Sequence, residues 1–322
     1  MALLLVAGAG TGASQVSDSP PPTEAPPTTE AEEDVGIGID KRFRMTVPIS
    51  IDGKGPYQFL IDTGAERTVI SAELARELSL TKGKSAVMHS MSGVGEVSTV
   101  VIPNLQVSKK TVSGIHAPAL KQVHIGAAGM LGIDTLQAQR ITFDFERQKM
   151  SIAASRTPER RFDRDEIVVT ARSRLGRLVL VDASIDGEKL MVVLDTGAEV
   201  TIGNEALRRK LTEKGKLKET VPIELVSVTG GRLVADYTQA RKIRLGGLLI
   251  QNLPIGFAEV HPFKQLDLHD RPALLLGMDA LRLFTRVSVD FAKRKVRFNA
   301  PELRGAGFGI RLASSAGSRP GY

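Results

Sequence analysis

The chain has no cysteine and no metal-binding arrangement of histidines, and these absences exclude several classes of enzyme. Without cysteine there is no disulfide, no Cys-based zinc site and no thiol nucleophile. The five histidines show no HExxH spacing, and no serine lies in a nucleophile elbow or a Ser-Lys motif. The sequence therefore predicts no metal, no cofactor and no covalent intermediate.

Basic residues are missing from one end of the chain. Residues 1–40 hold seven acidic side chains and no Lys or Arg, whereas the remainder carries 43 basic against 29 acidic side chains, a net charge of +14. No zinc-finger, groove-binding helix or aromatic RNA-binding pattern accompanies this charge, so we predict no nucleic-acid partner. The charge indicates either a basic solvated surface or contact with an acidic partner or an anionic envelope surface.

One motif occurs twice, as FLIDTGAERTVIS at Phe59 to Ser71 and as MVVLDTGAEVTIG at Met191 to Gly203. In each copy an apolar strand leads into Asp-Thr-Gly, and the two aspartates, Asp62 and Asp195, lie 133 residues apart. Six of the seven residues that start at each aspartate are identical. A given tripeptide is expected on the order of 0.1 times in a chain of this length, so the two copies indicate a duplication.

A carboxylate placed directly after a buried strand is costly to desolvate and needs hydrogen bonds or a partner group. If the two turns meet, the carboxyls lie about 3 Å apart, where at an effective dielectric of about 20 two charges repel by roughly 5.5 kcal/mol, or about 4 pK units. We therefore expect Asp62 and Asp195 to share one proton around a water, which suits direct water attack on an amide. The alternative is that one or both only cap a turn.

With these motifs the chain resembles the aspartic peptidases, and among them the retropepsin-like group. Each half also carries the family's second mark, two apolar residues and a glycine, in MLGIDTL from Met130 and LLGMDAL from Leu275. The resemblance covers about residues 43–300 and implies an all-β, bilobal acid-protease fold with two homologous β-barrel lobes related by a pseudo-twofold axis. Retroviral enzymes combine two identical subunits, whereas here, as in pepsins, one chain would hold both halves.

Composition and the repeat together predict the domain boundaries. Residues 1–13 resemble the remnant of a signal or anchor, residues 14–40 a disordered Pro/Thr/Glu-rich linker, 41–153 the N-terminal lobe, 154–166 an interlobe linker, 167–300 the C-terminal lobe, and 301–322 a flexible tail. The alternative for residues 1–13 is an ordinary floppy terminus. By analogy with bacterial envelope peptidases, we expect a periplasmic, cell-envelope or secreted protein that contacts a membrane only through its N terminus.

The resemblance also assigns roles around the two aspartates. The active-site support residues it implies are Thr63, Gly64, Ala65, Thr196, Gly197 and Ala198. The threonines would form hydrogen bonds between the two loops, and the glycines would let the backbone approach water and substrate. The alanines stand where pepsins carry a hydroxyl that supports the carboxylate. We therefore predict a pH optimum nearer neutrality than that of pepsins, and a profile peaking near about pH 2 would contradict it.

Six other carboxylates receive lesser roles. Asp134 and Asp279 are expected to cap short helices, and Asp144 and Asp290 to face solvent from alternating strands. Glu66 and its repeat Glu199 would either pair with a basic residue of the opposite lobe, as the resemblance implies, or remain solvated.

Each half also contains a hairpin with a glycine-rich tip after its motif, between Met88 and Val101 and between Ile223 and Tyr237. The resemblance implies that these are flaps that close over substrate, and the alternative is an ordinary surface hairpin. The predicted flap and substrate contacts are Met91, Gly93, Gly95, Gly230 and Gly231, with His89 as a further candidate.

These features predict an aspartic endopeptidase that acts on a protein or peptide substrate as a monomer, an intramolecular pseudo-dimer. Two alternatives stay open at this point. One is a catalytically silent peptide-binding or scaffolding protein of the same fold. The other is a chain that works only when the Asp62 halves of two molecules combine.

Overall fold

The computed structural model describes residues 33–36, 38–39, 44–157, 166–301 and 310–312. The predicted signal or anchor at 1–13 and most of the two predicted linkers and the tail lie outside these residues. Within the described part, no helix is long and apolar enough to cross a membrane.

The N-terminal lobe is built around a closed barrel of six strands. Its elements are β1 (Glu33–Gly36), β2 (Gly38–Ile39), β3 (Met45–Ile51), β4 (Lys54–Ile61), β5 (Val69–Ser71), α1 (Ala72–Glu77), β6 (Ala86–Ser90), β7 (Gly93–Val97), β8 (Thr99–Val107), β9 (Lys110–Leu120), α2 (Gln122–Ile125), β10 (Gly129–Leu131), α3 (Ile133–Leu136), β11 (Gln139–Asp144) and β12 (Lys149–Ala154). The barrel runs β3-β4-β10-β5-β9-β8 and closes through β8 and β3. Alternate residues of its strands, among them Val47, Phe59 and Ile102, fill the interior.

The C-terminal lobe repeats this barrel. Its elements are β13 (Glu166–Arg174), β14 (Arg177–Ile185), β15 (Glu188–Leu194), β16 (Ile202–Gly203), α4 (Glu205–Glu213), β17 (Val221–Val226), β18 (Arg232–Leu245), β19 (Leu248–Phe257), α5 (His261–Gln265), β20 (Ala273–Leu276), α6 (Met278–Leu281), β21 (Arg286–Asp290), β22 (Lys295–Asn299) and β23 (Ile310–Leu312). The barrel runs β14-β15-β20-β16-β19-β18 and closes through β18 and β14. Both barrels contain two parallel pairings at equivalent places, so the predicted bilobal all-β fold is confirmed.

A six-stranded sheet in the order β1-β12-β11-β21-β22-β13 joins the lobes. Its centre is the antiparallel pair β11 and β21, where Thr142 lies opposite Ser288 and donates a hydrogen bond to it at 3.1 Å. The flanking apolar residues of both strands are buried, so the joining sheet is part of the core.

Three strands lie inside segments that the sequence predicts to be disordered. β1 and β2 fall within the predicted linker 14–40 and pair with β12 and β3, and β23 falls within the predicted tail 301–322 and pairs with β19. The partner strands of β1 and β23 are distant in sequence. Local composition therefore carries no sign of the backbone hydrogen bonds that order these residues.

The prediction that Asp144 and Asp290 face solvent is wrong. Their exposed fractions are only 9% and 3%, because the joining sheet is covered on both faces. Asp144 accepts a hydrogen bond from Arg286 Nη2 at 2.6 Å. Asp290 accepts one from Ser155 Oγ at 2.6 Å and one from the backbone N–H of Lys293 at 2.8 Å. Both carboxylates therefore stabilise the joining sheet.

Candidate active site

The two aspartates of the repeated motif stand directly after the last residues of β4 and β15. The backbone N–H of Asp62 donates to Leu131 O at 3.0 Å, and that of Asp195 donates to Leu276 O at 3.1 Å. Both acceptors end the strands β10 and β20, which run parallel to β4 and β15 and carry the second repeated motif. The two motifs of each lobe therefore act together to position one aspartate.

The two aspartate loops are joined by four hydrogen bonds made by the predicted threonines. Thr63 N–H donates to Thr196 Oγ1 at 3.0 Å, and Thr196 N–H donates to Thr63 Oγ1 at 3.1 Å. The Thr63 hydroxyl in turn donates to Leu194 O at 2.9 Å, and the Thr196 hydroxyl donates to Ile61 O at 2.8 Å. The predicted loop-to-loop hydrogen bonds are confirmed, and they bring the aspartates of the two lobes together.

Both glycines of the motif are needed because the loops approach so closely. A Cβ added at Gly64 would lie 2.7 Å from Asp195 Oδ1, and one added at Gly197 would overlap the Asp62 carboxyl group. Each glycine also holds its own aspartate: Gly64 N–H donates to Asp62 Oδ1 at 2.8 Å, and Gly197 N–H donates to Asp195 Oδ1 at 3.0 Å.

The two carboxyl groups line the same cleft between the lobes, close enough for each to influence the pKa of the other. Burial, followed by the neighbouring charge of Asp195, raises the pKa of Asp62 to about 7. Burial also raises the pKa of Asp195. Near neutral pH the pair therefore carries a shared proton, with one carboxyl available as an acid and the other as a base.

The predicted alanines contribute backbone donors to this pair. The N–H of Ala198 donates to Asp195 Oδ1 at 3.2 Å, and the N–H of Ala65 lowers the pKa of Asp62 against the larger effect of burial. Neither side chain offers a hydroxyl, so the carboxylates receive only main-chain support at these positions.

The prediction that Asp134 and Asp279 cap helices is wrong. The N-cap residues of α3 and α6 are glycines, and the two aspartates lie inside the first turn, where each accepts one hydrogen bond from the N–H of the next residue. Asp134 also accepts hydrogen bonds from the N–H and hydroxyl of Thr68 at 3.0 and 2.8 Å. Asp279 accepts the equivalent bonds from Thr201 at 2.9 and 2.6 Å. Each carboxylate thus joins the C-terminal end of the aspartate loop of its lobe to a short helix, α3 in the first lobe and α6 in the second.

Arg177 is a site residue that the sequence reasoning missed. Its side chain lines the cleft with an exposed fraction of 6%, and its Nη2 lies 3.9 Å from Glu66 Oε1 of the opposite lobe. The cross-lobe pairing predicted for Glu66 is therefore confirmed, and its repeat Glu199 also lines the cleft. A signal was present in the sequence, because Arg44 and Arg177 each precede the motif aspartate of their lobe by 18 residues.

Two hairpins roof the cleft at the predicted flap positions. The first consists of β6 and β7, and the second of β17 and the start of β18. Their tips meet, with Ser90 Oγ and Ser92 Oγ lying 3.2 and 3.3 Å from Thr229 Oγ1. The first flap also contacts α5 of the other lobe, because His261 N–H donates to Met91 O at 3.2 Å and His89 Nδ1 lies 2.6 Å from His261 Nε2.

Of the predicted flap and substrate contacts, Met91 and His89 line the cleft, but Gly93, Gly95, Gly230 and Gly231 are not among its lining residues. Gly230 packs against the ring of His124 and Gly231 against the side chain of Ser92, so both face the opposite lobe. Gly93 and Gly95 have open space where a side chain would stand. The glycines therefore shape the hairpins, and neighbouring side chains form the cleft wall.

No group of three or more metal-binding side chains is positioned to hold a metal ion within the described ranges.

Comparison with protein families identifies both halves of the chain. Residues 47–138 match the family described as gag-polyprotein putative aspartyl protease, and residues 181–280 match the aspartyl protease family. The two matches together span more than half of the chain, and each contains one Asp-Thr-Gly loop. The chain belongs to the retropepsin-like aspartic peptidases. Its two lobes are two tandem protease domains, and the family places this peptidase among the hydrolases of peptide bonds. A search of curated proteins found no match to it.

Proposed function

We propose that this peptidase is an endopeptidase in which Asp62 and Asp195 activate a single water molecule. The observation that carries the proposal is the pair of buried aspartates, held together by the hydrogen bonds between their loops, with raised pKa values in a cleft covered by two hairpins. Two carboxyls of this kind supply an acid and a base at one point without a metal or a covalent nucleophile.

The reaction follows from one shared proton. The ionised carboxyl takes a proton from water as the water oxygen bonds to the scissile carbonyl carbon, and the protonated carboxyl hydrogen-bonds to the developing oxyanion. The carbon–nitrogen bond then breaks, and a proton from the dyad goes to the leaving amine. The products are a new carboxyl and a new amino terminus, and the dyad returns to its singly protonated state.

The cleft favours an extended peptide with apolar side chains near the cleaved bond. It encloses about 760 Å³, and its apolar lining includes Val69, Met88, Met130, Ile202, Ile223 and Leu225. Among the described strands, the two strands of the first flap pair only with each other, and β17 of the second flap is the last strand of its sheet. Both flaps therefore have backbone groups free to pair with the main chain of a peptide, which is sequence-independent recognition.

We also propose that the peptidase works as a monomer in the periplasm, at the cell envelope or after secretion. Assembly of both aspartates from one chain supports the monomer, and the signal-like residues 1–13 support the location. Light scattering of the active protein would contradict the monomer if only even-numbered assemblies cleaved peptide. Fractionation of producing cells would contradict the location if the protein stayed in the cytoplasm.

The decisive experiment is cleavage of a mixed peptide library between pH 4 and 8, read by mass spectrometry, with and without pepstatin. Asp62→Asn and Asp195→Asn are expected to abolish cleavage. The matched control is Asp182→Asn, which changes an exposed aspartate of β14 and should behave as the wild type. Cuts inside peptides are expected, with apolar residues beside the cut.

Three other results would each contradict part of the proposal. Release of terminal residues alone would identify an exopeptidase. Activity that survives Asp195→Asn would indicate that two chains combine their Asp62 halves. No cleavage at any pH by a folded protein would favour the silent peptide-binding or scaffolding protein.

A further inference from the structure

We propose that Arg177 holds the Asp62–Asp195 pair in its singly ionised state, and that Glu66 of the opposite lobe limits this effect. The inference rests on the proposed function of the aspartate pair. It assigns to Arg177 a positioning role, which acts on the reacting carboxyls through charge, and it makes the working pH range depend on a contact between the lobes.

The strand register places Arg177 beside the aspartates. β14 and β15 are antiparallel, and Val179 lies opposite Val193. Continuing this register by two residues puts Arg177, the first residue of β14, opposite Asp195. Side chains at opposed positions of antiparallel strands lie on the same face, with Cβ atoms about 4.5–5.5 Å apart. The two side chains accordingly line the same cleft.

The guanidinium group of Arg177 is buried and only partly neutralised by its neighbours. Its Nη1 donates to Gln265 Oε1 at 3.2 Å, and its Nη2 lies 3.9 Å from Glu66 Oε1, which is longer than a hydrogen bond. Its Nε is buried and has no hydrogen-bond partner among the described residues. A buried cation with so little compensation acts strongly on the nearest anions because little water screens it.

Besides Glu66, the anions that this charge acts on are the two aspartates of the same cleft. Burial is the largest influence on both carboxyls and raises the pKa of each. The Arg177 charge opposes burial at both, and at Asp195 it is the first of the influences that lower the pKa. Arg177 thus keeps one carboxyl ionised in an environment that would otherwise favour protonation of both.

Glu66 is placed to moderate this charge. Its side chain is 43% exposed, and its Oε1 also accepts a hydrogen bond from Gln265 Nε2 at 2.9 Å, so Gln265 bridges the two charged groups. The other titratable side chains that line the cleft are Arg44, Arg67, His89, His116, His124, Glu199 and Glu224. These side chains are the same in all of the variants below, so their influence on the pKa values of the aspartates is the same in each variant.

Two measurements test the inference: the acid limb of the kcat/KM profile, and NMR titration of ¹³C-labelled aspartate carboxyls assigned with Asp62→Asn and Asp195→Asn. Arg177→Met should displace the limb and the titration to higher pH, with roughly a threefold to tenfold loss of kcat/KM on that limb and a smaller change at the optimum. Glu66→Gln should displace both to lower pH. Arg177→Lys keeps the charge and should largely restore the wild-type profile.

A purely structural Arg177 would not produce displacements of opposite sign. Equal profiles in all variants, or displacement in the same direction by Arg177→Met and Glu66→Gln, would overturn the inference. If Arg177→Met does not fold, the downward displacement by Glu66→Gln supports the inference and its absence overturns it. The NMR titration needs no turnover, so the inference can hold even if no peptide is cleaved, and the proposed function then fails separately.

Discussion

Replacing Asp62 by asparagine is expected to abolish peptide cleavage and also to stabilise the folded protein at neutral pH. The asparagine side chain has nearly the same shape and keeps an oxygen that can accept the Gly64 N–H hydrogen bond. It cannot ionise, however, and so avoids the unfavourable burial of a second charge beside Asp195.

The size of this effect follows from the pKa of Asp62, which is raised from 3.8 to about 7. Since the folded state holds the proton more tightly than the unfolded chain, the contribution of this group to stability is complete below pH 3.8 and is lost as the pH rises to about 7. At 1.36 kcal/mol per pK unit, the loss is about 4 kcal/mol above pH 7. For a protein of this size that corresponds to roughly 10 °C in Tm.

Urea unfolding of the wild type and of Asp62→Asn at several pH values between 4 and 8 measures this loss of stability as a difference in the free energy of unfolding. The variant should match the wild type near pH 4 and exceed it increasingly towards pH 8, while the control Asp182→Asn follows the wild type throughout. If the difference in the free energy of unfolding between variant and wild type does not grow with pH, Asp62 ionises without penalty and the shared-proton reasoning is refuted.

Three further substitutions test the loops and flaps. Thr63→Val leaves one buried N–H and one buried carbonyl unpaired and should lower the free energy of unfolding by about 2–4 kcal/mol. The control Thr111→Val changes an exposed threonine and should alter the free energy of unfolding by no more than about 0.5 kcal/mol. Equal free energies of unfolding for the two variants would contradict the role of the loop hydrogen bonds. Gly64→Ala should reduce kcat/KM by about 100-fold or more because its Cβ meets the opposite carboxyl, whereas Gly95→Ala enters open space and should be nearly neutral. Thr229→Val removes the hydroxyl contacts between the flap tips, so amide hydrogen exchange in the first flap should accelerate, and unchanged exchange would show that these contacts do not hold the flap.

Several features of the site could be predicted from the sequence because they depend on local or repeated information. The Asp-Thr-Gly loops occur twice with nearly identical residues, and each follows an apolar strand. Two equivalent lobes related by a pseudo-twofold axis place the two loops face to face. The positions of both flap hairpins follow from the same repeat.

The wrong predictions concern groups whose partners come from elsewhere in the chain. Asp134 has a sequence position suited to a helix cap, yet its carboxylate also accepts hydrogen bonds from Thr68, which lies 66 residues away in the sequence. Asp144 lies in an alternating strand, but the neighbouring strand of the same sheet comes from the other lobe and places Arg286, 142 residues away, directly opposite it. Alternation indicates which residues share a face, and it does not indicate whether solvent or another sheet lies on that face.

The sequence by itself therefore determined the fold class, the two aspartate loops and the absence of cysteine chemistry, because each of these depends on residue type and spacing within one repeat. Only the tertiary structure decided that burial is the largest cause of the raised pKa values of the aspartates, that Arg177 is the partner of Glu66, and that the two flap tips contact each other. These properties depend on burial and on distances between the lobes, which are fixed only when the joining sheet brings two distant halves of the chain together.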